Sequence, residues 1–458
     1  MKSSILLLPT AGAYHFNPFQ HSAGIAPYFT PNDPPIPPSP PQGCNVTRAA
    51  YRVRHAAIYA NDFDYETYIE PFIQKLHNTT QNWTDTDALS FLSTWTAPIT
   101  EDHLEMLTRV GLQEATNLGA SFRQRYPSLK TNKVWSSTAD RTVKSAQGFI
   151  SGYTNNETHV DLIEVPESSS VGADSLTPYK SCPAYSSSYG SEFQNDFVQK
   201  YTPSIATRLN TLAPTFNFTA SDITAMFELC GYETVIRGSS PFCSAALLSP
   251  TEWLSFEYAN DLMYFHNTGY GRPVNPRIGF PWVRTSYGLL SSPSTSTNTK
   301  ANTTDTKRTA GESRDLYVSF THREFPPTVI TALGLFNNTA YTSNAFLNAS
   351  MPRDEVNYYR AWRSSRILPF LGNVGVERLE CDVPGYADGG SGSGDEGVYF
   401  RVLVNGAVQP VVGCRDGPGA SCSAGAFGEW MRGREEVFGD FGGVCGNGSA
   451  EGGLGIYG

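Results

Sequence analysis

The sequence predicts an α/β protein, a mainly parallel central sheet flanked by helices with a smaller, mostly helical domain inserted into it. Three strand-then-helix units are the observations that predict it. In the first, Tyr51 and Val53 alternate in a short strand ending at Arg54-His55. Tyr65, Tyr68, Ile69, Phe72, Ile73 and Leu76 then recur at helical spacing, with Asp62 and Asp64 placed to cap that helix. The second is Lys133-Val134-Trp135-Ser136-Ser137, followed by Thr138-Ala139-Asp140-Arg141 and a helix through Val143, Ala146, Phe149 and Ile150. In the third, Leu316, Val318 and Phe320 alternate before Thr321-His322-Arg323-Glu324, and Val329, Ile330 and Leu333 follow in a helix.

Around these units the chain divides by composition. Residues 1–18 resemble a weak signal segment, in which Met1-Lys2 precedes the short apolar run Ile5-Leu6-Leu7-Leu8 and Ala11-Gly12-Ala13. Residues 19–43 form a proline-rich arm that includes PNDPPIPPSPPQG. The α/β domain is expected over 44–155 and 308–458, and the inserted helical domain over 156–307. Residues 291–306 and 384–397 read as polar loops, and the glycine-rich C-terminal stretch carries Cys414, Cys422 and Cys445. No apolar run reaches the length of a membrane span.

Hydrophobic residues make up 40% of the 458 and charged residues 17%, with a net charge of −10. That composition describes a globular chain, and its acidity argues against nucleic acid and anionic membranes as partners. The eight cysteines form no C-x-x-C pair, so a zinc ribbon is a poor reading and disulfides in an oxidising compartment the better one; eight buried thiols is the alternative. Sequons at Asn45, Asn78, Asn82, Asn156, Asn217, Asn302, Asn337, Asn348 and Asn447 suggest N-glycans and secretion. Oligomeric state cannot be read from the sequence.

In parallel sheets ligands bind beyond the carboxyl ends of the strands. Arg54, His55, Arg141 and His322 all fall at such ends. Guanidinium groups match phosphate oxygens, and helix N-termini add backbone donors. A histidine in that setting can attack phosphorus, and a nearby acid such as Glu324 can protonate the departing alcohol. Singly, each residue has a blander fate: His55 a hydrogen-bonded core imidazole, Arg141 a surface cation paired with Asp140, His322 a loop buttress. Their coincidence at equivalent strand ends carries the functional reading. Metal binding is the weaker option, since the eight histidines lack ligand spacing.

Val53-Arg54-His55-Ala56-Ala57-Ile58-Tyr59-Ala60 resembles a degraded R-H-G-x-R-x-P motif of the histidine acid phosphatases, which include fungal phytases. Thr138-Ala139-Asp140-Arg141 with Ser145-Ala146 resembles the segment carrying a further phosphate-binding arginine. Ser319-Phe320-Thr321-His322 resembles the second catalytic histidine segment, and Thr331–Phe336 the helix behind it. The resemblance implies His55 as nucleophile, Arg54, Arg141 and His322 as holders of the phosphoryl group, and no metal or organic cofactor. It also implies the pairs Cys44–Cys381, Cys182–Cys445, Cys230–Cys243 and Cys414–Cys422. Three departures stand out: Ile58 replaces the motif arginine, Ala56 the glycine and Ala60 the proline. The usual His-Asp pair reads His322-Arg323-Glu324, so Glu324 becomes the proton-donor candidate and Arg323 a substitute phosphate-binding cation.

The resulting expectation is a secreted, disulfide-bonded acid phosphomonoesterase acting on a small phosphate ester, with phytate or other inositol phosphates among the candidates. The competing reading is a family member that binds phosphate esters without turnover. An unrelated secreted hydrolase such as a glycosidase has only generic acidic residues behind it. Lys180, Arg237, Arg272 and Arg277 read as ordinary surface charges rather than a substrate rim.

Overall fold

Strand β1 (Cys44–Arg54) is buried almost throughout and sits at the centre of the sheet. In a computed structural model, which describes residues 16–154, 159–291, 314–338, 351–382, 397–446 and 454–458, β1 has a parallel neighbour on one side and an antiparallel neighbour on the other. The parallel half runs β3 (Asp161–Val165), β2 (Lys133–Ser137), β4 (Leu316–Thr321), β1. The antiparallel half continues through β5 (Asn373–Cys381), β6 (Val398–Val404) and β7 (Ala407–Gln409), and β8 (Cys422–Ser423) pairs with β6. The parallel half contains the three strands read from the sequence. Those three, β1, β2 and β4, are buried on both faces along most of their length, whereas the edge strand β3 is mostly half-exposed or exposed.

The helix after His55 begins with a turn at Asp62–Asp64, passes through a π-helical turn at Tyr65–Ile69 and runs on as α1 (Glu70–Asn78). Its cap is Asn61 rather than Asp62 or Asp64: the Asn61 side chain accepts from the Asp64 N–H at 2.9 Å. Helix α2 (Arg109–Arg125) packs on α3 (Asp140–Tyr153), and Gly111 lets it approach the chain just beyond His55. A Cβ at Gly111 would run into the Ala57 carbonyl.

Helices α4 (Ser191–Leu212), α5 (Ala220–Arg237) and α6 (Pro250–Asn267) build an aromatic-rich core with the 58–99 segment, in which Phe227, Trp253 and Phe256 join Ile58, Ile69 and Phe72. Helix α7 (Val274–Ser291) lies instead on the sheet, packed against α8 (Phe325–Ala332), β1 and β5. The proline-rich arm is laid along the antiparallel half, where the Pro38 carbonyl accepts from Arg125 at 2.7 Å and from Arg401 at 3.0 Å.

Disulfides join Cys44 to Cys381, Cys182 to Cys445, Cys230 to Cys243 and Cys414 to Cys422. Among the described residues no helix is long and apolar enough to cross a membrane. Asn45, Asn78, Asn82 and Asn217 are exposed, whereas Asn156, Asn302, Asn348 and Asn447 lie outside the described residues. So do the apolar N-terminal run and nearly all of the 291–306 and 384–397 segments.

Candidate active site

Register brings the strand ends to one level. Arg54 pairs with Thr321 across β1 and β4, and Ser136 pairs with Phe320 across β2 and β4. His55 follows directly, its N–H donating to the Thr321 carbonyl at 2.8 Å and its carbonyl accepting from Leu371 at 3.1 Å. The ends of β1 and β4 and the helix that starts after β2 thus bring His55, His322 and Arg141 to the same rim. The His55 and His322 ring centroids are 6.1 Å apart, the span of one phosphoryl group.

The hydrogen-bond partners define both imidazoles. His55 Nδ1 lies 2.9 Å from the Ala56 carbonyl. A carbonyl only accepts, so Nδ1 carries the proton and Nε2 the lone pair. Burial, followed by the charges of Arg54, Arg141 and His322, pulls the His55 pKa well below the ordinary imidazole value. The neutral imidazole is therefore favoured to lower pH than for an ordinary histidine. In its neutral form His322 has the opposite tautomer. Arg141 Nη2 can only donate to its Nδ1, at 3.1 Å, and its Nε2–H points to Glu167 Oε1 at 2.8 Å.

Arg54 is buried with its guanidinium 4.6 Å from the centre of the Phe370 ring, and Nη1 donates to the carbonyls of Gly24 at 2.5 Å and Leu368 at 2.7 Å. Burial lowers its pKa to about 10, which leaves it charged across the acidic and neutral range. Arg141, in the first turn of α3, pairs through Nη1 with Glu105 at 2.7 Å. Arg323 donates from Nε to Glu324 at 3.1 Å. Burial opposes ionisation of Glu324, but Arg323 and His322 outweigh it and hold the carboxyl below the ordinary carboxylate range.

Together Arg54, His55, Arg141, His322, Arg323 and Glu324 border a cavity of about 360 Å³. Ile58 lines it too, and forms an isolated bridge with Leu107, so an aliphatic side chain occupies this wall. A wider opening of about 490 Å³ adjoins it and shares Arg141, His322 and Glu324.

Two polar participants were not singled out from the sequence. Glu105 caps Arg141 from a loop position with φ of 63°, and nothing in its sequence pattern announces it. Glu167 follows the edge strand β3, and its place just beyond a parallel strand end is the signal that would have found it. Burial works against the Glu167 charge, but hydrogen bonds from His322 and Lys180 prevail and keep the carboxyl below its usual range. Lys180 is exposed, as a surface charge would be, and it pairs with Glu167 and borders the wider opening. Arg237 pairs with Glu233, while Arg272 and Arg277 bond backbone carbonyls.

Comparison with known proteins agrees with this geometry. The family model described as histidine phosphatase superfamily (branch 2) matches residues 53–405. The chain belongs to that family. An acid phosphatase of Komagataella pastoris, PHO1, is 31% identical over 424 residues, covering 89% of this chain and 82% of that protein. A phytase of Candida albicans, PHO112, is 27% identical, covering 93% of this chain and 86% of its own. The crystal structure of the phytase from D. castellii superposes with a TM-score of 0.81 at 21% identity, covering 96% of this chain and 90% of that one. The likeness to the phytase structure establishes the shared fold, and family membership with these relatives makes the protein a phosphatase.

Proposed function

We propose that this phosphatase is a secreted acid phosphomonoesterase working through a phosphohistidine on His55. The observation that carries the reading is the hydrogen bond from His55 Nδ1 to the Ala56 carbonyl, which leaves Nε2 as a neutral nucleophile in a cavity bordered by Arg54, Arg141 and Arg323. Nε2 attacks phosphorus while the bond from phosphorus to the alcohol oxygen breaks, and Glu324 gives that oxygen its proton. The imidazolium formed keeps Nδ1–H on Ala56. Water, losing a proton to Glu324, then attacks phosphorus, phosphate leaves and His55 is restored. Before substrate binds, Arg323 and His322 favour the ionised form of Glu324. An arriving phosphoryl dianion opposes the pull of Arg323 and His322 and raises the carboxyl toward its protonated form. Arg54, Arg141 and His322 hold the phosphoryl oxygens, and Arg323 adds the cation absent at Ile58.

The disulfides and exposed sequon asparagines support secretion. The substrate is a phosphate monoester, and phytate enters the candidates because relatives bear the name phytase. Ile58 supports the second reading, a protein that binds phosphate esters without turnover. Purified full-length protein, assayed on 4-nitrophenyl phosphate and phytate from pH 3 to 7, separates the two. Turnover that persists well below the ordinary imidazole pKa, together with a trapped phosphohistidine absent from His55→Ala, is expected. Loss of the nucleophile is expected to lower kcat at least ~10⁴-fold. Folded wild-type protein that binds phosphate but releases none from any monoester sinks the hydrolytic reading.

A further inference from the structure

A second cavity, of about 310 Å³, adjoins the phosphoryl site and shares Arg323 and Glu324 with it. Its walls come from the 22–25 turn, the start of the helix after His55, and α4, α5 and α6. It is at the small end of ligand pockets, which span roughly 300–1,000 Å³. Because it shares Glu324, the proposed proton donor to the alcohol oxygen, with the phosphoryl site, the alcohol half of an ester bound at His55 can extend into it.

The lining is poorly suited to further phosphates. Arg323 is the one guanidinium among the described lining residues, and its Nε is already given to Glu324. Against it stand Asp62, Asp64, Glu228 and Glu324. Asp64 is partnered by Asn61 Nδ2 and the Tyr232 hydroxyl, both at 2.6 Å. Glu228 is different: it is 7% exposed, and its Oε2 has no hydrogen-bond partner among the described residues. The buried Tyr185 hydroxyl, on the side toward the wider opening, also lacks one. Burial and the nearby Asp64 push the Glu228 pKa well above the ordinary carboxyl value, which favours the neutral form, able to donate as well as accept. Ser191, Gln194 and Asn260 add neutral polar groups, and Tyr68, Phe256 and Tyr264 add aromatic surface. Unsatisfied buried donors and acceptors beside aromatic rings are the chemistry that recognises hydroxyl groups on a carbon skeleton. Phosphates in the same place would meet several carboxyl groups and a single cation, Arg323, already paired through Nε with Glu324.

We propose that this cavity receives the alcohol half of the substrate and selects phosphate monoesters of neutral polyhydroxy alcohols, the sugar monophosphates, over polyphosphorylated inositols. The inference rests on the phosphomonoesterase reading above.

The test is kcat/KM at pH 5 for glucose 6-phosphate, phosphoethanolamine and phytate. Wild-type protein is expected to favour glucose 6-phosphate over both others by about ten-fold or more, the equivalent of one buried hydrogen bond. Glu228→Leu is expected to raise KM for glucose 6-phosphate about ten-fold with kcat much less affected. Gln194→Lys keeps a good helix former while adding a cation to the wall, and is expected to move the ratio at least several-fold toward phytate. That variant carries the test if Glu228→Leu folds poorly. Phytate or phosphoethanolamine as the preferred ester, or a ratio unmoved by Gln194→Lys, overturns the proposal. If wild-type protein hydrolyses nothing, the enzymatic reading fails by itself. Calorimetric titration of His55→Ala with glucose 6-phosphate and phytate then judges the cavity, and tighter binding of phytate overturns it.

Discussion

Arg401, fully buried, and Arg141, partly exposed at the cavity rim, differ in how completely the protein satisfies them. Arg401, in the antiparallel half, has every guanidinium nitrogen engaged. Nε pairs with Glu377, while Nη1 and Nη2 donate to the carbonyls of Ser39 and Pro38 at 3.0 Å each. Glu377 is equally committed, accepting from Arg125 at 2.9 Å and from the Tyr126 hydroxyl at 2.5 Å. In the parallel half, Nε of Arg141 and Nε of Arg54 lack partners among the described residues, and Arg141 Nη2 meets only the ring nitrogen of His322. A closed network fixes the arm to the sheet. An open one leaves cations able to gain from an incoming anion.

The contrast predicts opposite consequences for stability and activity. Glu377→Gln takes the charge from the centre of the closed network and strands Arg401 and Arg125. A loss of about 3–5 kcal/mol is expected by equilibrium urea unfolding, with kcat per folded molecule unchanged. Arg141→Ala is expected to do the reverse: kcat/KM falls by about 10²–10³-fold, as for removal of one oxyanion donor, while the unfolding free energy moves by under about 1 kcal/mol. A Glu377→Gln protein that loses activity in proportion to Arg141→Ala would show that the two halves are not separate in this sense.

The legible part of this architecture is the part set by backbone periodicity. Val53, Trp135 and Phe320 belong to buried strands whose carboxyl ends form the rim, so His55 and His322, directly after two of those strands, and Arg141, in the first turn of the helix after the third, can be placed from the strand ends. Glu105 and Glu167 could not be read in the same way. Glu105 reaches Arg141 from an irregular loop whose course depends on the packing of distant elements. Glu167 follows β3, an edge strand whose residues are mostly half-exposed or exposed and so give a weak apolar pattern. The antiparallel half was obscured differently. Val398–Val404 is buried at every position, and such a run does not declare which strands flank it or in which direction they run. The ion network around Glu377 joins residues 38, 125, 377 and 401, a meeting that only the folded chain discloses. The helix after His55 was right in kind, but its cap moved to Asn61 because that side chain, one residue earlier, reaches the free N–H of Asp64.

Arg52 sharpens the comparison from a third direction. It is fully buried on β1, two residues before Arg54, and none of its three side-chain nitrogens has a hydrogen-bond partner among the described residues. Its guanidinium lies 4.7 Å from the centre of the Phe325 ring and 5.5 Å from that of Trp282. Aromatic faces repay part of the desolvation, typically a kcal/mol or two. They do not repay it all, since burial lowers the Arg52 pKa to about 10. For a cation with a depressed folded-state pKa, the cost is fully present below about 10 and is relieved only as pH rises toward the unfolded value. Arg52→Met, which fills similar volume without charge, is therefore expected to raise the unfolding free energy by about 1–3 kcal/mol. The gain should be the same at pH 5 and pH 8, with kcat on 4-nitrophenyl phosphate unaffected. A loss of stability at both pH values would mean that the ring faces satisfy Arg52 as fully as Glu377 satisfies Arg401, and that an open arginine in this sheet is no sign of a waiting ligand.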